Sequence, residues 1–222
     1  MRLVTLFTAV ALGLAACGSS QPVTLANPTV PEAYQARVDT GPNEEPIQIP
    51  AVRAAYLTER NQRQQVSYNG PEAPGSIVVD PYARVLYLVQ PGGQAMRYGV
   101  AIGRGDLYEP GVYTIKRKAE WPHWTPTQNM IQREPEIYDQ FAGGVEPGPQ
   151  NALGSRALYL YVGDRDTYLR IHGTPFPTSI GSRASSGCVR MVMSHINALY
   201  PQVQIGSTAY LYSPDGSVTP LS

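Results

Sequence analysis

From about Val66 onward the chain is built of short apolar runs broken by glycine and proline, a pattern that fits strands and little else. Ile77-Val78-Val79 is followed by Val85-Leu86-Tyr87-Leu88-Val89, and a Gly92-Gly93 pair separates that run from 95–102. Two apolar runs of strand length split by Gly-Gly predict a hairpin. Further runs at 112–115, 157–162, 168–171 and 208–212 are rich in Tyr, Val, Ile and Leu and predict more strands. The stretch 120–154 is different. Trp, Pro, Gly, Asn and Gln dominate it and no period holds, and a loop of that length inside a compact domain is usually functional. A short helix is predicted over 195–200, with Ser194 as its N-cap. The expectation is a mainly β domain over 66–213 with one long loop and one or two short helices, followed by a tail at 214–222.

Composition agrees. Gly and Pro number 21 each and Tyr 15, which supplies many turns and many aromatic strand-formers. The chain is 42% hydrophobic but only 15% charged, against about 25% for an ordinary soluble protein. The formal net charge is zero, which leaves no electrostatic case for a nucleic-acid partner and no polybasic membrane patch.

The N-terminus is read as an address. Met1-Arg2 precedes an uncharged apolar run over 3–13, the pattern of a secretory signal and too short to span a bilayer comfortably. The run ends Leu14-Ala15-Ala16-Cys17-Gly18, which resembles a bacterial lipobox. That resemblance implies a diacylglyceryl group on Cys17 as the mature N-terminus. A plain signal peptide with an incidental cysteine is the alternative. Gly18, rather than Asp, favours the outer membrane by the same resemblance. The expected location is therefore exported and periplasmic, held to a membrane through Cys17. Residues 18–65 read as a tether, with Pro22, Pro28, Pro31, Pro42, Pro46 and Pro50 among polar filler. Within it, 51–65 has helix formers with a weak apolar face and suggests a short helix. No internal repeat is present.

A disulfide between Cys17 and Cys188 would be the default in an exported chain. If Cys17 is lipidated, Cys188 is the only thiol of the mature chain, and a lone thiol in an oxidising compartment is a liability unless chemistry uses it. The segment around it carries that chemistry. Cys188 follows His172 by sixteen positions, and Gly173, Pro175, Pro177, Gly181 and Gly187 lie between them. Such a linker can fold back and bring an imidazole to a thiol, which is a strong nucleophile only as thiolate. Gly187 leaves the backbone open, so main-chain N–H groups there could meet an oxyanion. A small buried cysteine and a hydrogen-bonded strand-end histidine are the alternative from spacing alone.

The elements His172-Gly173-Thr174 and Ser185-Ser186-Gly187-Cys188-Val189-Arg190-Met191 resemble the signature of the L,D-transpeptidase catalytic domain (YkuD-type). The stretches Trp121-Pro122-His123-Trp124-Thr125-Pro126 and Asn151-Ala152-Leu153-Gly154-Ser155-Arg156-Ala157 resemble further segments of that family, so the likeness covers about 75–213. It implies a mixed β-sandwich and a two-step acyl transfer on peptidoglycan stem peptides. Cys188 would be the nucleophile, His172 its base, the Gly173 carbonyl the group that orients the imidazole, and N–H groups near Gly187 and Cys188 the oxyanion donors. Arg190 would hold a substrate carboxylate or brace the loop. The acceptor would be a stem peptide, an outer-membrane lipoprotein or a free D-amino acid. Hydrolysis by the same cysteine (a carboxypeptidase or endopeptidase) and a non-catalytic wall-binding lipoprotein are the competing readings. One departure is Ser186, where many members carry histidine directly before Gly-Cys; Ser186 and Thr174 join the candidate substrate-binding set.

Of the other polar candidates, His123 would line the substrate groove, while Trp121 and Trp124 would be groove walls or loop anchors. His195 is expected to be a solvated helix-end residue. No close His or Cys pair has metal-ligand spacing, and the turn glycines at Gly103, Gly105, Gly143 and Gly144 lack a βαβ context, so no metal and no cofactor are expected.

Overall fold

The computed structural model describes residues 31–221. The signal and lipobox readings, including Cys17, lie outside the described residues. The strands, in chain order, are β1 Arg37–Thr40, β2 Pro46–Ile49, β3 Gln64–Ser67, β4 Ile77–Asp80, β5 Val85–Gln90, β6 Gln94–Gly99, β7 Ile102–Gly103 and β8 Gly111–Glu120. Two short helices follow, α1 Gln128–Arg133 and α2 Pro135–Tyr138, then β9 Arg156–Val162, β10 Arg165–Thr174, β11 Arg183–Ser185, β12 Val189–Val192, α3 Met193–Leu199 and β13 Thr208–Leu211.

Nine of these strands form one mixed sheet in the order β12-β10-β9-β8-β13-β4-β5-β6-β3. The pairs β10/β12 and β13/β4 are parallel and the rest antiparallel. Beyond the sheet pairings, Ala101, just past β6, exchanges both backbone hydrogen bonds with Arg190 of the edge strand β12 (2.9 and 2.8 Å). The enclosed core draws on both halves: Ile77, Leu86 and Tyr98 from one, Leu158, Ile171 and Met191 from the other, all at most 0% exposed. This is the mainly β, mixed-sheet fold expected of the chain. The β5/β6 hairpin turns at Gly92 and Gly93, whose φ values of 75° and 67° are left-handed and suit glycine.

Several elements differ from the sequence reading. The expected tether is folded from Glu32 onward. β1 and β2 form their own hairpin, two 3₁₀ turns occupy Ala54–Tyr56 and Glu59–Asn61 where a short helix was expected, and β3 joins the large sheet. The segment packs because its few apolar residues are placed to be buried. Ile47 and Ile49 meet Trp121 and Met193, while Tyr34, Val52 and Leu57 meet Ala101, Ile180 and Val192. A two-pronged ion pair from Arg156 to Asp39 (2.8 and 3.2 Å) pins β1 to the start of β9. β8 runs well past the apolar 112–115, since its charged half finds aromatic partners: Arg117 lies 4.3 Å from the Tyr159 ring and Lys118 4.3 Å from that of Tyr200.

The stretch 120–154 is not structureless. α1 is capped by Thr127, whose Oγ1 accepts the Met130 N–H at 3.2 Å, and Pro135 opens α2. Helices this short show no period in the sequence. α3 begins at Met193 with Val192 as its cap, because β12 leads straight into it, so Ser194 lies inside the helix with a buried hydroxyl that has no partner. Among the described residues no helix is long and apolar enough to cross a membrane.

Docking of the N-terminal segment centres on Tyr34, whose hydroxyl accepts the Arg63 N–H at 2.7 Å and lies 2.9 Å from His195 Nε2. Tyr34→Ala removes a buried ring and strands two polar groups, for an expected loss of about 3 kcal/mol. In urea denaturation with parallel trypsin digestion, the wild type should resist cleavage after Arg53 and Arg63 and the variant should be cut there roughly tenfold faster. Equal, fast cleavage of both would mean that the segment is a tether.

Candidate active site

Strand pairing brings the two chemical residues together. β10 carries His172 and β12 runs parallel beside it, with Ile171 opposite Val189 and His172 opposite Arg190. Cys188 therefore stands one residue before β12, level with Arg170. The linker is held in place along its length. Gly181 donates to Val100 O (2.9 Å), β11 pairs with β7, and Arg104 N–H donates to Ser185 O (3.0 Å). Gly187 has φ 128°, and a Cβ there would lie 3.2 Å from Leu107 O and 3.3 Å from Leu169 Cδ2, so glycine is required by both backbone and space.

His172 is buried, and its Nδ1 lies 2.5 Å from the Gly173 carbonyl oxygen. A carbonyl only accepts, so Nδ1 carries the proton. Burial first, then the Arg190 charge, pull the imidazole from its ordinary 6.5 down to about 3, against the opposing pull of backbone hydrogen bonds to Gly173 and Leu153. The ring is therefore neutral at physiological pH.

The half-buried Cys188 thiol donates to the Tyr168 carbonyl at 3.8 Å. Burial pushes its pKa up, and the Arg170 main-chain N–H facing the sulfur, with the charges of Arg170 and Arg190, only partly offsets that. In this conformer the sulfur is hydrogen-bonded to Tyr168 rather than to the imidazole. Tyr168 and Arg170 were not singled out from sequence. The signal for them was only their place on the strand leading to His172.

Other expected residues are placed as follows. The Gly187 N–H donates to Ser185 Oγ at 3.2 Å and is thus engaged rather than open to an oxyanion, while Ser185 Oγ in turn donates to Cys188 O. Ser186 Oγ is 2.5 Å from the Tyr138 hydroxyl, so Ser186 ties α2 to the loop that carries Cys188. Arg104 pairs with Glu134 and fastens the same loop at a second point. Thr174 is buried, and its Oγ1 accepts the Phe176 N–H at 3.1 Å, a turn-forming role. Arg190 is half-buried, and among the described residues no carboxylate lies within ion-pair distance of it.

Trp121 is a loop anchor, 2% exposed against the β1/β2 hairpin. Trp124 packs on Tyr138 and Phe141 (ring centroids 6.4 and 5.8 Å). His123 is exposed, and its polar partners Thr125 (3.5 Å) and Glu146 (3.7 Å) belong to its own loop. His195 is not a solvated helix end: it is 2% exposed, packed edge-on against Tyr34 and Tyr98, because α3 lies against the sheet.

The family model of the L,D-transpeptidase catalytic domain (YkuD) matches residues 74–211, more than half of the chain. The chain belongs to the L,D-transpeptidase catalytic-domain family. Two Escherichia coli (strain K12) relatives are similar to it. One, described as probable L,D-transpeptidase ErfK/SrfK, is 31% identical over 64% of this chain and 47% of its own. The other, described as probable L,D-transpeptidase YcfS, is 35% identical over 62% and 44%. The chain spans about half the length of these two relatives. A crystal structure from Brucella melitensis, described as a probable carnitine operon oxidoreductase caia, is 46% identical, covering 69% of this chain and 96% of that one at a TM-score of 0.48.

Two outcomes follow from the protonation states. Unfolded histidines protonate near 6.5, while folded His172 and His195 resist protonation down to about 3. The unfolded state therefore binds more protons in that window. Their stabilising contribution is complete above pH 6.5 and is lost as pH falls, by about 1.4 kcal/mol per pH unit for each histidine. Chemical denaturation from pH 6 to 4.5 should give that slope, and His195→Phe should remove one histidine's share. Iodoacetamide alkylation of Cys188, read by peptide mass spectrometry, should keep rising beyond pH 9 with no plateau near neutrality, because the thiol is not an ion-paired thiolate.

Proposed function

We propose that the chain is a cysteine acyltransferase that forms a thioester on a peptidoglycan stem peptide and passes the acyl group to an amine. The observation that carries this reading is the buried, neutral His172, whose Nδ1–H is committed to Gly173 O, leaving Nε2 as a base on the strand beside that of Cys188. Family membership supports the same reaction class.

The steps are these. The thiol leaves Tyr168 O, rotates to His172 and gives its proton to Nε2 as the sulfur attacks the carbonyl between the third residue and the terminal D-Ala. The oxyanion is met by the Cys188 N–H, since the Gly187 N–H is engaged with Ser185. Collapse breaks the C–N bond, and the Nε2 proton goes to the departing D-Ala amine. An acceptor amine then attacks the thioester, returns a proton through His172, and the C–S bond breaks. While His172 is charged, the Gly173 carbonyl stabilises it, which partly offsets the burial that otherwise keeps it neutral. Arg190, with no carboxylate of its own, takes a substrate carboxylate beside the nucleophile.

The remainder of the reading completes this. Residues 1–17 are a lipoprotein signal and Cys17 is lipidated, which places the folded part in the periplasm, tethered to the outer membrane. The acceptor is a stem peptide or an outer-membrane lipoprotein. Trp124 and His123 lie on the loop that flanks the substrate.

The test is incubation of the full chain with a disaccharide-tetrapeptide, following intact mass and muropeptide products. The expected result is an adduct on Cys188, D-Ala release and a cross-linked dimer, all abolished in Cys188→Ala, with a loss of at least about 10³-fold in His172→Gln. Tripeptide and D-Ala without cross-links would identify a hydrolase. Binding without any adduct, in folded and reduced protein, would identify a non-catalytic wall-binding lipoprotein.

A further inference from the structure

Tyr168 is placed in a way that stability does not explain. Its φ is 61°, left-handed backbone where an aromatic side chain is strained and glycine or asparagine is not. Burial does not offset the strain, for the side chain is 67% exposed. Its ring contact is with the Arg170 guanidinium at 5.9 Å, the outer limit of a useful cation–ring attraction, and that guanidinium already lies 4.1 Å from the Tyr159 ring.

The backbone around it is nevertheless built with care. The pairing of β10 with β9 is irregular between Asp166 and Arg170, and this bulge is braced from within. Asp166 Oδ1 accepts the Tyr168 N–H at 2.8 Å, and the Asp166 carboxylate takes both Arg170 terminal nitrogens at 2.6 and 2.8 Å. Thr167 Oγ1 donates to Leu160 O (2.6 Å) and accepts the Leu169 N–H (3.2 Å). The fixed carbonyl of Tyr168 is the one that receives the Cys188 thiol. The ring is thus carried, exposed, on the residue whose carbonyl holds the nucleophile's thiol, while Arg190, opposite His172 on β12, has no carboxylate within ion-pair distance among the described residues.

We propose that Tyr168 is a substrate-positioning residue, its ring forming an apolar wall for the aliphatic flank of the donor peptide beside Cys188, opposite a carboxylate held by Arg190. The assignment rests on the acyl-transfer reading above. It specifies a donor that presents an aliphatic stretch and a carboxylate close to the scissile carbonyl, which suits a diamino acid at the third position of the stem.

Three chains test it: wild type, Tyr168→Asn and Tyr168→Phe, each full-length. Asparagine tolerates the left-handed backbone, so the bulge and the thiol contact are kept while the ring is lost. The KM for disaccharide-tetrapeptide should rise about tenfold in Tyr168→Asn with kcat within about threefold, and Tyr168→Phe should restore the wild-type KM. Alkylation of Cys188 by iodoacetamide should proceed at the wild-type rate in all three. An unchanged KM in Tyr168→Asn overturns the assignment, as does alkylation that slows in step with turnover, which would mark a backbone role. A wild-type chain that forms no adduct overturns the acyl-transfer reading itself, and is distinguishable because no variant is needed to see it.

Discussion

The parallel pairing of β10 with β12 is the constraint on which the rest of the site depends. A parallel pair cannot be closed by a tight turn, so a crossover must leave the end of one strand and return to the start of its neighbour. Here that crossover leaves β10 after Thr174, two residues beyond His172, and returns to β12 through Cys188. The register fixes the separation of His172 and Cys188 along the strands without any direct bond between the side chains. Everything else supports that pair: β7 holds β11 inside the linker, Val100 and Ala101 bond to Gly181 and Arg190, and Gly187 admits the close passage of Leu107.

Burial does the electrostatic work. A carbonyl 2.5 Å from Nδ1 settles the tautomer, and exclusion of water keeps the ring uncharged. The same exclusion keeps the thiol protonated, against the pull of two nearby guanidinium groups. The imidazole and the thiol are thus both neutral, and no ion pair joins them. The N-terminal segment packs on the outside of the linker and α3. Tyr34 closes over His195, and the apolar residues Val52 and Leu57 cover Ile180 in the linker.

Much of this was legible in the sequence, and for physical reasons. Ile77-Val78-Val79 and Val85–Gln90 are strands because they are apolar, branched and bounded by turn residues, and the Gly92-Gly93 turn follows from the need for positive φ. The His172 and Cys188 motifs were legible because their chemistry demands particular atoms. What escaped was long-range or averaged away. The fold of 32–61 depends on single buried residues, such as Tyr34 and Ile49, whose partners lie far along the chain. The outer half of β8 reads as charged and exposed until Tyr159 and Tyr200 cover its stems. The roles of Tyr168 and Arg170 come from a bulge, and a bulge leaves no mark in a hydrophobic pattern.

The central claim is that His172 is a neutral base with its proton on Nδ1. Proton–nitrogen correlation spectra of the imidazole in the folded chain at pH 7 and pH 5 test it most directly. The account predicts a protonated Nδ1 and a bare Nε2 at both values, since the ring stays neutral down to about 3. A proton on Nε2, or a ring charged at pH 5, would contradict it.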